Sequence, residues 1–264
     1  MITLQKYINS LLKIAVGLSP TLIILSSFSL PSLAQITPNH SPKTAPTQQT
    51  KNLQLAQMIK FPSSADRGKP KRSGAGGRRG NSCIISEEDK QSLTAIMPTW
   101  DNEGKTTNDT SKLYIFVPQN KTENGEFVVI DEEGNNIYET NFTPPNQSGI
   151  VEVNIPANAS LKVGKKYYWY FTLICDDQDR SRDEYVSGSL ERTNIGSLLN
   201  SYIQQATPLK QAEIYARNNI WYDTIYNVAS LRKENPQLWL GLLESVGLKE
   251  LANQPFVELG KPKP

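Results

Sequence analysis

The side chains able to do chemistry in this chain are few, and their placement excludes several reaction classes at once. The only histidine is His40. It lies in a stretch rich in Pro, Thr, Gln and Asn, far from any candidate core, so Ser-His-Asp and Cys-His catalysis have no base in the folded part. His-based zinc sites fall with it, and two cysteines alone make no structural zinc site. The densest polar cluster is Asp176-Asp177-Gln178-Asp179-Arg180-Ser181-Arg182-Asp183. Asp177, Asp179, Ser181 and Asp183 stand at alternate positions, loosely like a calcium loop, and the three aspartates are the candidate metal ligands. The loop lacks the glycine of position 6, has Gly188 where the bidentate glutamate belongs, and already carries Arg180 and Arg182. A charged turn between two strands, with Asp side chains capping backbone amides, is the competing reading, and we expect no cofactor. Glu132-Glu133 and Glu87-Glu88-Asp89 are the other carboxylate groups. Acid/base hydrolysis needs two carboxylates facing across a cleft with separated pKa values. Their position in a turn and at a chain start argues for solvation, so a carboxylate-based hydrolase is the minor alternative to a non-catalytic protein.

The elements that must position any such group centre on residues 165–175, Lys-Lys-Tyr-Tyr-Trp-Tyr-Phe-Thr-Leu-Ile-Cys. Strand alternation puts Tyr167, Trp169, Phe171, Leu173 and Cys175 on one face and Tyr168, Tyr170, Thr172 and Ile174 on the other. Apolar character on both sides predicts a central strand covered on both faces. An exposed aromatic row would instead offer a stacking platform for sugars, with Trp169 as its centre. Strand patterns also mark residues 93–97, 112–117, 126–131, 136–142, 149–155 and 185–192. Glu132-Glu133-Gly134-Asn135 reads as a hairpin turn. About seven short, regularly spaced strands predict an antiparallel β-sandwich, immunoglobulin-like in architecture only, because Cys83 precedes the strands.

After Thr193 the period changes from two to 3.6. Ile195, Leu198, Leu199, Tyr202 and Ile203 fall at i, i+3, i+4, i+7 and i+8. Thr207-Pro208 opens a second helix, Trp221 lies in a third ended by Asn235-Pro236, and a fourth stops at Gly247. The pair spanning 209–236 resembles one degenerate tetratricopeptide unit, and a stable solenoid needs about three. The expected class is therefore α+β: a sandwich over 83–193, a helical C-terminal region over 194–257 packed on it, and a flexible tail over 258–264. Trp221, Tyr222 and Asp223 are candidate contact residues for a partner.

Charge is uneven. The whole chain has a formal net charge of +2. Residues 60–82 carry seven Lys/Arg against Asp66, whereas 83–264 carry 17 Lys/Arg against 25 Asp/Glu. The acidic body argues against nucleic acid as ligand, since phosphate neutralisation needs a basic surface. Residues 1–34 read as an export signal: Lys6 and Lys13, an apolar run, then Ser32-Leu33-Ala34 as the cleavage pattern. Cleavage leaves no membrane span, and the protein is expected in the periplasm or outside the cell. Residues 35–82 read as a disordered linker ending in a basic Gly/Arg-rich strap. An oxidising compartment permits a Cys83–Cys175 disulfide, worth about 4–5 kcal/mol in the chain-entropy account. The bond is our expectation, with two buried free thiols as the alternative.

The region from about Arg67 to Val257 resembles the domain of unknown function numbered 928, found largely in cyanobacterial proteins. The resemblance rests on residues 93–98 (Leu-Thr-Ala-Ile-Met-Pro), 127–135 (Phe-Val-Val-Ile-Asp-Glu-Glu-Gly-Asn) and 164–176 around Tyr-Tyr-Trp-Tyr-Phe. It continues through Asp179-Arg180-Ser181, Asn219-Ile220-Trp221-Tyr222-Asp223-Thr224 and Ser245-Val246-Gly247-Leu248. It implies these boundaries and export, and no activity. The function that remains is an exported, non-catalytic envelope module that binds another envelope or secreted protein. A cell-surface glycan held by 165–175 is the alternative.

Overall fold

A computed structural model describes residues 50, 54, 59–62, 83–85 and 91–261. The expected export signal and most of the 35–82 linker and strap lie outside the described residues. Among the described residues eight strands form two sheets. The smaller has the order β1 (Thr94–Ala95), β3 (Ser111–Val117), β6 (Gly149–Ile155), all antiparallel. The larger runs β2 (Glu103–Thr106), β8 (Glu184–Arg192), β7 (Lys166–Ile174), β4 (Asn124–Asp131), β5 (Asn136–Phe142). It is antiparallel except for the β2–β8 pair. Four helices follow: α1 (Ser197–Gln205), α2 (Pro208–Arg217), α3 (Trp221–Leu231) and α4 (Pro236–Ser245). The protein is α+β with a sandwich-like arrangement of two sheets.

β7 is central in its sheet, as its aromatic and β-branched composition predicts, but the described residues fully cover only one of its faces. Tyr167, Trp169, Phe171 and Leu173 are buried, while Tyr168 and Tyr170 are each 37 % exposed. The strand buried on both faces is β3. Leu113, Ile115 and Val117 alternate with Tyr114 and Phe116, and all five are sealed. The reason is the placement of the C-terminal chain. Trp239 of α4 and Phe256 meet the Tyr114 ring edge-on, and residues 255–257 pair with Ile150 of β6. The helices therefore cover the small sheet and leave the outer face of the large one open.

Local chemistry sets the turns. The β4–β5 hairpin closes on Asp131, whose carboxylate accepts from the Glu133 and Asn135 amides at 3.0 and 2.8 Å, with Gly134 at φ +85°. The Thr207 hydroxyl caps α2, with Pro208 in its first turn. β2 carries no strand signal at all: Glu-Gly-Lys-Thr is short and lacks aromatic residues. Its pairing with β8 makes it a strand. Gly104 is required there because a Cβ would come within 2.5 Å of the Tyr222 ring.

The linker expectation over 35–82 needs one correction. Ile59 and Phe61 are buried in the core, where Phe61 packs edge-on against Trp221 at 5.0 Å. The Phe61 amide donates to Ser245 Oγ at 3.0 Å. Two alternate apolar residues amid polar sequence give too weak a period to stand out, yet burying each contributes about 1.5–3 kcal/mol. The fold thus includes residues well before Cys83.

Candidate functional site

Sequence reasoning places candidate contact residues at Trp169, Trp221, Tyr222 and Asp223. The structure brings all four together, but inside. Trp169, Trp221 and Tyr222 are at most 1 % exposed, and Asp223 is 5 % exposed. Their positions follow from the start of α3, which touches both β2 and β3. Tyr222 Oη donates to the Ser189 carbonyl and accepts from Trp169 Nε1, both at 2.8 Å. Trp221 Nε1 donates to the Ile96 carbonyl at 3.2 Å. The Asp223 carboxylate accepts from the Thr107 amide at 2.7 Å and its hydroxyl at 3.0 Å. It also accepts from Asn108 Nδ2 at 2.6 Å and the Thr106 hydroxyl at 3.2 Å.

These residues are staples between the helical cap and the sheets. Every polar atom named has a partner, as buried polar groups must. Burial raises the Asp223 carboxyl above the ordinary carboxylate range, with the donors from Thr107, Asn108 and Thr106 opposing it. Burial likewise pushes the Tyr222 phenol far up, so it stays protonated and able to donate. The four are accordingly not surface contact residues: no partner reaches them while the domain is folded.

The acidic turn resolves in a similar way. Asp183 accepts from the Cys175 amide at 3.1 Å and pairs with Arg180. Asp179 caps the Ser181 amide and hydroxyl and pairs with Arg182 at 3.1 Å. These bonds, the Ser181 hydroxyl first, lower the Asp179 carboxyl below its usual range. Asp177 accepts instead from Asn124 Nδ2. The three carboxylates turn to three separate partners. Among the described residues no group of three or more His, Cys, Asp or Glu side chains is placed to hold a metal ion. The geometry is that of the charged turn. Beside it, Cys83 and Cys175 form a disulfide with Cα atoms 5.2 Å apart, tying the chain before β1 to the end of β7.

What lies open is elsewhere. On the outer face of the large sheet, Tyr168 and Tyr170 stand two residues apart on β7, and Tyr185 on β8 is exposed beside them. The Lys166 ammonium lies 5.7 Å from the Tyr168 ring centroid. Alternation shows this row, while the expectation of a doubly covered strand hides it. On the helical side, α1 contains no charged residue. Ile203, with Leu199 and Ile195, packs on Tyr215, Ile214 and Ile220. Leu198 and Tyr202, one turn apart, point away and are 88 % and 57 % exposed. The five apolar positions form a stripe wider than the surface α2 offers, so part of it is left uncovered.

A two-sheet α+β protein, closed by one disulfide and capped by four helices, is the class this architecture defines. The chain belongs to the Domain of Unknown Function (DUF928) family, whose model matches residues 74–256. No curated protein and no solved structure matches it. Among the described residues no helix is long and apolar enough to cross a membrane.

Proposed function

We propose that this protein is an exported, non-catalytic envelope module that binds another protein. The observation that carries the reading is α1: an uncharged helix presenting Leu198 and Tyr202 to solvent in adjacent turns. Large apolar side chains exposed side by side are costly to leave in water, and tyrosine is among the residues that dominate protein contacts. The partner fitting this surface is a protein with an apolar patch or groove of helix width. Export rests on the Lys6/Lys13 and Ser-Leu-Ala signal pattern, and the Cys83–Cys175 bond is consistent with an oxidising compartment. On the same reading the sandwich is immunoglobulin-like in arrangement, and α2–α3 act as a single tetratricopeptide-like pair that braces α1. The absence of a catalytic role rests on the lone His40 and on the internal pairing of the 176–183 carboxylates.

The test is a photo-cross-linking amino acid placed at Leu198 in cells. A discrete cross-linked protein, lost when Tyr202 is changed to Glu, is the expected result; no adduct at Leu198 rejects the reading.

A second reading has its own observation. The exposed Tyr168, Tyr170 and Tyr185 form an aromatic platform on which a cell-surface glycan would stack. It predicts that a Tyr168→Ala, Tyr170→Ala double variant loses polysaccharide binding while Leu198→Glu retains it.

A further inference from the structure

A cavity of about 450 Å³ opens along β2, between the outer face of the large sheet and the turn that joins α2 to α3. That volume lies within the range of small-ligand sites. Its walls combine two aromatic residues, Trp100 and the buried Phe61, with the carboxylates of Glu103 and Glu191 and the side chains of Asn218 and Asn219. Trp100 is partly buried, packed against the hydrophobic core, and keeps part of its surface exposed. Ser189 lines the cavity as well. It is 5 % exposed, and its Oγ is buried with no hydrogen-bond partner among the described residues. A buried hydroxyl left unmatched is costly, and a ligand hydroxyl is the natural complement.

The charges narrow the ligand class. Both lysines lining the cavity are already paired: Lys105 Nζ with Glu191 at 3.3 Å, and Lys166 Nζ with Glu103 at 2.7 Å. Asp101 adds a third carboxylate to the lining. A phosphate or carboxylate ligand would meet net negative charge. A neutral polyhydroxy ligand meets the opposite situation. Each of its hydroxyls both donates and accepts, and the lining alternates acceptor carboxylates with amides and a hydroxyl. The C–H face of a pyranose stacks on indole by burying apolar surface against the ring. The backbone is held in unusual form on both sides. Asn102, between Asp101 and Glu103, has φ +55°, and Asn219 has φ +58°. Two of the three left-handed non-glycine residues among those described therefore flank this cavity.

We infer that the cavity bordered by Trp100, Ser189 and Glu191 is a binding site for the end of a neutral saccharide. The site is separate from α1 and does not depend on the protein-binding proposal. It also differs from the tyrosine platform, though Lys166 lies between the cavity and Tyr168, so a longer chain leaving the cavity would run onto that row.

The test is isothermal titration of the full chain with cellotetraose, maltotetraose and tetra-N-acetylchitotetraose. Three variants are compared: Trp100→Ala, Glu191→Gln, and the double variant Tyr168→Ala, Tyr170→Ala. The expected result is one site per chain for at least one of these sugars, weakened about tenfold or more in Trp100→Ala and in Glu191→Gln. Near-ultraviolet dichroism checks folding. If Trp100→Ala fails to fold, Glu191→Gln decides. Binding of none of the three sugars overturns the inference. Binding lost only in the tyrosine variant also overturns it, while leaving the platform reading standing.

Discussion

On one face of β7, Trp169 and Phe171 are sealed, Phe171 stacked on Phe142 and the Trp169 indole N–H matched to a single tyrosine hydroxyl of the helical cap. On the other, Tyr168 and Tyr170 remain partly exposed to solvent. The same short run of aromatic residues thus builds a core on one side and a surface on the other. The difference lies in what covers each face. Helices α3 and α4 and the chain through Phe256 lie against the small sheet and the β2 edge, so α3 reaches Trp169 through Tyr222. On the outer face of β7 Tyr168 and Tyr170 stay partly exposed, although Thr172 farther along the same face is buried. Aromatic composition therefore says how much surface is at stake, while the path of the C-terminal chain decides which half is buried.

That contrast can be broken, beginning with the covered side. Removing the disulfide in a Cys83→Ser, Cys175→Ser variant opens a loop with a sequence separation of 92 residues. It should cost about 4–5 kcal/mol in the chain-entropy account. Urea unfolding is the check, and a shift below about 1 kcal/mol would show that native packing already holds the 83–85 segment in place. Next is Tyr222→Phe. It leaves Trp169 Nε1 and the Ser189 carbonyl without their partner, and should destabilise by about 2–4 kcal/mol in the same assay.

Asp223 sharpens the contrast through pH. Burial holds its carboxyl above the ordinary value of 3.8. A folded-state pKa above the unfolded one means that the native state binds this proton more tightly. The stabilising contribution is then complete below pH 3.8 and is lost as pH rises through the folded value. Asp131 and Asp179 act in the opposite direction. They are held below 3.8 chiefly by the Asn135 and Ser181 side chains, so their contribution fades only as pH falls below 3.8. In urea titrations, the stability of wild type relative to Asp223→Asn should therefore increase as pH is lowered toward 3.8. A flat difference across that range would contradict the burial account of this carboxylate.

The smallest effect on stability belongs to the open side. The Tyr168→Ala, Tyr170→Ala variant should lower unfolding free energy by about 1 kcal/mol per site, less than Tyr222→Phe, because each ring is partly exposed and has only part of its packing to lose. A larger loss would mean that the outer face is covered after all.

Much of the fold is legible in the sequence, for reasons these elements make plain. The strands at 112–117, 126–131, 136–142, 149–155 and 185–192 carry their own alternation and turn residues. They recur in the structure with ends moved by at most two residues. Four helices follow from the 3.6 period and from Pro208 in a first turn, whereas Pro236, read as the end of the third helix, opens the fourth while the third stops at Leu231. β2 is not legible, because Glu-Gly-Lys-Thr is a strand only through its partner β8. Nor is the burial of Asn219-Ile220-Trp221-Tyr222-Asp223. A polar and aromatic run at a helix start looks the same whether it faces a ligand or pins two layers together, and only the tertiary partners Thr106, Thr107, Asn108 and Trp169 distinguish the two. The cavity beside β2 gathers Trp100, the β8 pair Ser189 and Glu191, and Asn219 from three separate places in the chain, so no local pattern announces it. Leu198 and Tyr202 were visible as part of an apolar stripe, but the width of the surface meant to cover that stripe is a property of α2 and not of α1.

The central claim, that this module works by binding a protein through the uncovered side of α1, is tested most directly with purified full chain and isolated cell-envelope material. Binding is measured before and after protease treatment of the envelopes, for wild type and for Leu198→Glu, Tyr202→Glu. The account predicts that wild type binds untreated envelopes, that proteolysis of the envelopes abolishes binding, and that the α1 variant fails to bind while remaining folded. Binding that survives both proteolysis and the α1 substitutions would contradict it and transfer the function to the tyrosine face.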